Sequence, residues 1–138
     1  MRRVKIGDVY AIPLPNGQFA FGRAFRDAGF GVYRKMGTSI TDLPNMKDED
    51  YQFVVSVYRD LLRDNVWKFI ENRPFKSEEM EWPPQRCIKD SISGEYSIYY
   101  KGEIYPAKKE ECEGLEVAAV WDRNHIIDRI MGDTKWNL

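Results

Sequence analysis

The chain has 138 residues, a length that fits one domain with one core. Its 43% apolar and 14% aromatic content excludes a disordered segment. Twenty-one Lys and Arg stand against 22 Asp and Glu, a formal net charge of −1, and this argues against a nucleic-acid partner, because phosphate contacts call for a basic excess.

Residues 5–23, KIGDVYAIPLPNGQFAFGR, read as two strands joined at Pro15-Asn16-Gly17. Val9, Ala11 and Pro13 alternate with Tyr10, Ile12 and Leu14, so both faces are apolar and the first strand is expected inside a sheet. Pro13 has no donor and belongs at a bulge or an unpaired position. In the second strand Phe19, Phe21 and Phe25 share one face, and Ala20, Gly22 and Ala24 the other. The small face admits another backbone or strong coiling. Asp27-Ala28-Gly29 turns the chain into a third strand that runs to Met36, completing an antiparallel meander.

Residues 37–50 read as a polar loop ending in Asp48-Glu49-Asp50. Residues 51–58, YQFVVSVY, form a strand, and Leu61 and Leu62 extend it or open a short helix. Asp64-Asn65 is a turn signal before a strand over 66–70. Residues 72–86 hold three of the seven prolines together with Glu78, Glu79, Glu81 and Trp82, and are expected as an ordered surface loop. A second hairpin spans 95–106 around Lys101-Gly102, and a short helix near 107–113 stops at Gly114. LEVAAV, 115–120, is a short strand. Asp122 caps a helix near 122–131 with Ile126, Ile127, Ile130 and Met131 on one stripe and Gly132 at its end. The fold class is α+β: a β-rich, strongly bent antiparallel sheet of SH3-like or half-barrel character, one short helix and a C-terminal helix, in a single domain over 1–138.

His125 is the only histidine, and no Ser-His-Asp, Cys-His or metal-ligand spacing assembles around it. It is read as partly buried and bonded to backbone or a carboxylate. No catalytic, cofactor-binding or metal-binding residue is assigned, and no enzyme is expected. Gly17, Gly22, Gly29 and Gly31 do not have the spacing of a phosphate loop. Cys87 and Cys112 are too few for a disulfide framework and wrongly spaced for zinc, so they read as reduced thiols of a cytoplasmic protein. No long apolar run follows the basic residues of MRRVKIGDVY, so neither a signal peptide nor a membrane span is expected there.

Runs of acid such as 48–50, 78–81 and 110–113 are most simply solvated faces. The functional alternative is an acidic surface complementary to a basic protein. Trp67 and Trp121 lie in apolar runs and belong to the core. Trp82 and Trp136 sit among polar residues, as interface anchors or under a loop.

Three segments together resemble the immunity protein 26 family of bacterial polymorphic toxin systems: KIGDVYAIPLPNGQFAFGR, RPFKSEEMEWPP, and EECEGLEVAAVWDRNHIIDRI near the end. The last is the most specific. The first also resembles the opening of SH3-like barrels of PemK/MazF-type endoribonuclease toxins. Membership would imply a small cytoplasmic protein that binds a cognate toxin and neutralises it, with no enzymatic activity and no cofactor. The resemblance carries no functional residues over. From charge and expected exposure, the candidate partner-binding residues are Asp48, Glu49, Asp50, Glu78, Glu79, Glu81 and Trp82. The alternative reading is a barrel that binds or cleaves RNA, with Phe19, Phe21 and Phe25 as a stacking platform.

Overall fold

The first hairpin forms where its sequence places it. Strands β1 (Asp8–Pro13) and β2 (Phe19–Ala24) pair in antiparallel register, with Ala11 opposite Phe21. The Leu14 amide donates to the Gln18 carbonyl at 2.9 Å. Pro13's nitrogen therefore faces the other edge of β1, where pairing with β5 (Lys68–Asn72) has already stopped at Ala11. Strands β3 (Gly29–Tyr33) and β4 (Tyr51–Val57) continue the meander. As its two apolar faces suggest, β1 is internal. With β10 (Val120–Trp121) the six-stranded sheet has the order β10-β4-β3-β2-β1-β5. The computed structural model describes residues 3–45 and 50–132.

The β-structure divides into two sheets, where the sequence suggests one bent sheet. The second has four strands in the order β8-β7-β6-β9: β6 (Arg86–Lys89), β7 (Tyr96–Tyr100), β8 (Glu103–Ala107) and β9 (Glu116–Val117). Of these β7 and β8 are the expected second hairpin, while β6 has no signal of its own: its four residues, RCIK, show no alternation and follow two prolines. LEVAAV is not one strand. Its start pairs with β6 and its end with β4, both parallel, and the small Ala118 and Ala119 carry the chain from one sheet to the other. The Ala118 amide donates to the Cys87 carbonyl at 2.9 Å in that crossing. The class is α+β and β-rich, with both sheets mixed.

One face of the larger sheet carries the main core. Tyr10, Ile12, Ala20, Phe30, Val32, Phe53 and Val55 pack there against Leu61 and Leu62 of helix α1 (Asp60–Arg63), Trp67, and Ile126 and Ile130 of helix α2 (Arg123–Ile130). Phe30 stacks on Trp67 with ring centroids 5.5 Å apart, a contact type worth about 0.5–1.5 kcal/mol beyond its burial. α2 starts at Asp122, whose side chain accepts the His125 amide at 2.9 Å, as the cap signal requires. Trp121 is half-buried, stacked on Phe53 and covered by the Arg129 guanidinium. The opposite face buries Val9, Ala11, Phe21 and Tyr33 under Ile40 and Leu43 of the polar loop. The smaller sheet has its own cluster of Cys87, Ile98 and Cys112.

The short helix near 107–113 is a single 3-10 turn over Lys109–Cys112. Lys108 before it and Glu113 after it are extended, so the turn does not continue as an α-helix, and it is held by the Lys108 amide donating to Glu111 Oε1 at 2.8 Å. The small face of β2 receives a ring, not a backbone: Phe30 lies over Gly22.

Candidate functional site: an acidic loop beside an inter-sheet cleft

The GDV motif of β1 is a structural junction. The Gly7 carbonyl accepts the Arg73 amide at 2.8 Å, and a Cβ on Gly7 would lie 2.6 Å from the Arg73 carbonyl oxygen. Only glycine permits that approach. The same Arg73 carbonyl accepts Arg23 Nε at 2.9 Å and also Arg23 Nη2. Arg23 is 2% exposed and sits 3.7 Å from the Phe75 ring centroid, so it anchors the start of the proline-rich loop. Phe21 and Phe25 are buried and present no face to a base, which removes the support the RNA reading drew from them.

The loop from 73 to 85 is ordered, as expected, and folds back as a 3-10 turn at Glu79–Glu81. Its acids make specific contacts. Glu79 accepts Lys101 Nζ at 2.5 Å and Tyr100 Oη at 2.9 Å. Those two bonds, Lys101's first, hold its carboxyl below the ordinary value and push the Tyr100 and Lys101 values up. Glu81 accepts Arg26 Nε at 2.7 Å, and the Arg26 amide donates to the Glu81 carbonyl at 2.8 Å. Trp82 is half-buried, its ring 5.6 Å from the Arg26 guanidinium. Glu78 is exposed, and so is Met80 at 52%. The loop is thereby clamped to the β2–β3 turn on one side and the β7–β8 hairpin on the other.

Asp50 does not join this group. It pairs with Arg34 at 2.8 Å, with both side chains well exposed, an ion pair of little energetic weight. Arg34 follows β3 and Arg26 precedes it, so Asp50 and Glu81 lie toward opposite ends of that strand. Asp48, Glu49 and Trp136 fall outside the described residues. His125 is exposed, where the sequence suggests partial burial, and its Nδ1 lies 3.4 Å from Asp122 Oδ1, so the expected carboxylate neighbour is present. Among the described residues, no group of three His, Cys, Asp or Glu is placed to hold a metal ion, and no helix is long and apolar enough to cross a membrane.

Beside the loop, a cleft of about 290 Å³ opens between the two sheets, lined by Asp27, Ala28, Ser56, Arg86, Tyr99 and residues 118–120. Tyr99 Oη donates to Asp27 Oδ2 at 2.5 Å, which raises the Tyr99 value above that of a free tyrosine. Arg86 is 3% exposed and donates from Nη1 to Ser56 Oγ across the sheets. Burial pushes its value down, opposed by the nearby Asp27, Tyr99 and Glu116; it stays charged at neutral pH all the same. Neither Arg86 nor Tyr99 stands out in the sequence. A buried arginine in the short run RCIK reads like any surface arginine, since the pattern carries no record of which strand will cover it.

The family model for immunity protein 26 matches residues 5–98. The match takes in the first two segments that carry the resemblance and stops before the third. No curated protein and no solved structure matches the chain. A match over most of the chain, running from β1 into β7, identifies the protein as belonging to the immunity protein 26 family.

Proposed function

We propose that this protein binds a cognate toxin domain in the cytoplasm and neutralises it by covering the toxin's active or substrate-binding surface, without catalysing a reaction. The family match over residues 5–98 carries this reading. The contact surface is the clamped loop with Glu78, Glu79, Glu81 and Trp82, joined by the acidic run Asp48, Glu49 and Asp50, of which Asp50 alone is among the described residues. Three features support the loop. It carries three carboxylates over 78–81, two of them balanced by Lys101 and Arg26, and carboxylates presented at a surface complement the basic groove by which an enzyme holds nucleic acid. It is tied at Arg26, Tyr100 and Lys101, so little order is lost on binding. Met80 and Trp82 bring apolar surface into the acidic patch, where interface anchors are concentrated.

The test is co-expression with a candidate toxin domain taken from a neighbouring gene. Growth rescue together with co-purification is the expected result. Triple charge reversal, E78K/E79K/E81K, should slow association about tenfold or more at low salt and less at high salt. Unchanged association removes the loop from the interface. Absence of rescue from a demonstrably toxic neighbour, with this chain folded and present, overturns the toxin-binding reading itself.

A further inference from the structure

The cleft between the sheets ends on a charge that the protein answers only in part. A guanidinium has five N–H donors in a planar fork. Arg86 Nη1 meets Ser56 Oγ, but Nε and Nη2 are buried and meet no acceptor among the described residues. The nearest carboxylates are already engaged: Asp27 accepts from Tyr99 at 2.5 Å, and Glu116 accepts Arg129 Nη1 and Nη2 at 2.7 and 2.5 Å. Keeping a buried cation with unanswered donors is costly, and an apolar side chain would join two sheets with less penalty.

The strand registers extend the site outward. Ile104, Tyr99, Arg86 and Glu116 stand side by side across the smaller sheet. Ile104, on the edge strand, is 64% exposed, and Val120, lining the cleft from the other sheet, is 51% exposed. The cleft thus runs from Val120, past Tyr99 and the Asp27 carboxylate that Tyr99 bonds, to a buried arginine, with Ile104 on the same sheet face beyond its lining. A buried arginine and an aromatic ring within an apolar rim is the arrangement in which protein interfaces concentrate binding energy. A free small carboxylate would answer the charge and leave the rim in water.

We propose that the Arg86 cleft receives a carboxylate side chain presented by the toxin. The guanidinium turns within the cleft it lines, so that two N–H groups face the two oxygens in a bidentate pair. This deepens the toxin-binding reading and rests on it. It also makes the interface two-signed, with the acidic loop meeting basic groups of the toxin and the adjacent cleft meeting an acidic one.

The test uses the full chain and an inactivated form of the toxin domain that the co-expression assay identifies. Arg86→Lys keeps the charge and loses the fork. Because it changes a buried group, Val120→Glu is made alongside, placing a like charge on the exposed rim without touching the core. Both are expected to weaken toxin binding about tenfold or more, with the thermal midpoint of Val120→Glu unchanged. The Arg86 guanidinium resonances, followed by NMR, are expected to shift in the complex. Wild-type affinity in Val120→Glu, with Arg86 resonances unmoved in a complex that still forms, overturns the cleft assignment and leaves toxin binding standing. Saturable Arg86 shifts on adding sodium acetate but none in the toxin complex also overturn it, by giving the site to free carboxylates. Failure of the wild-type chain itself to bind is a different result, and removes the reading on which the cleft's occupant depends.

Discussion

The tip of the Phe30 ring lies over Gly22: a Cβ built on that glycine would come within 2.0 Å of the ring's Cζ. The two residues are on paired strands, Phe30 opposite Ala24 and Gly22 opposite Val32, so the ring leans diagonally across the sheet into the space the glycine leaves. It then reaches Trp67 on its other side. Gly22→Ala must push this ring into a close-packed core, and overpacking of that kind costs about 1–3 kcal/mol. The urea midpoint should fall accordingly. An unchanged midpoint would show that Phe30 has room to move that the structure does not give it.

The β2–β3 turn is strained in a way that can be relieved. Asp27 and Ala28 both have positive φ, 57° and 56°, as a two-residue hairpin loop of this hand requires. Asparagine and aspartate tolerate that region, whereas alanine pays for its Cβ. Ala28→Gly should therefore raise stability by about 0.5–1 kcal/mol, the gain being net of glycine's extra chain entropy. Ala28→Val should lower it. Equal thermal midpoints for glycine and valine at this position would count against the strain.

Acid should loosen the clamp on the acidic loop. Glu79 has its value lowered from 4.5, first by Lys101 and then by Tyr100. A lowered carboxyl contributes stability that is present above the unfolded value and is lost as pH falls through the folded one. Wild type and Glu79→Gln should therefore differ at neutral pH, begin to converge as pH falls below about 4.5, and coincide only below the lowered folded value, followed by urea unfolding at each pH. Above the ordinary tyrosine value of 10.0 the contribution of Tyr100, raised by the same bond, is lost in the other direction. A wild-type-to-variant gap that is constant from neutral to acid pH would rule out this link.

The thiols should be silent until the protein unfolds. Cys87 and Cys112 are both buried and free. Burial, with Cys112 beside it, pushes the Cys87 thiol up to about 11, so at mildly alkaline pH roughly one molecule in a thousand carries the thiolate that attacks a disulfide reagent. Ellman's reagent should titrate almost nothing in the native protein and both cysteines in concentrated guanidinium. Rapid native reaction of either would mean that the cluster with Ile98 opens readily.

Local chemistry determined much of this protein from the sequence. Asn16-Gly17 and Lys101-Gly102 supply turn geometry within a few residues, so both hairpins are legible. Asp122 and the Ile126–Ile130 spacing mark the C-terminal helix and the face it buries, and Trp67 declares itself core by its apolar neighbours. The acidic run at 78–81 is visible as charge. What the sequence does not contain is the identity of the partner strand or ion. A period-two pattern says which side of a strand is buried but not which sheet it joins, so LEVAAV reads as one strand although its ends belong to two sheets. Glu79 finds Lys101, Glu81 finds Arg26, and Tyr99 finds Asp27 at separations of 22, 55 and 72 residues. The burial of Arg86 follows only once β6 is laid against β7 and β9. These pairings are decided by how two sheets pack, a long-range balance of burial against desolvation that no short stretch of residues encodes.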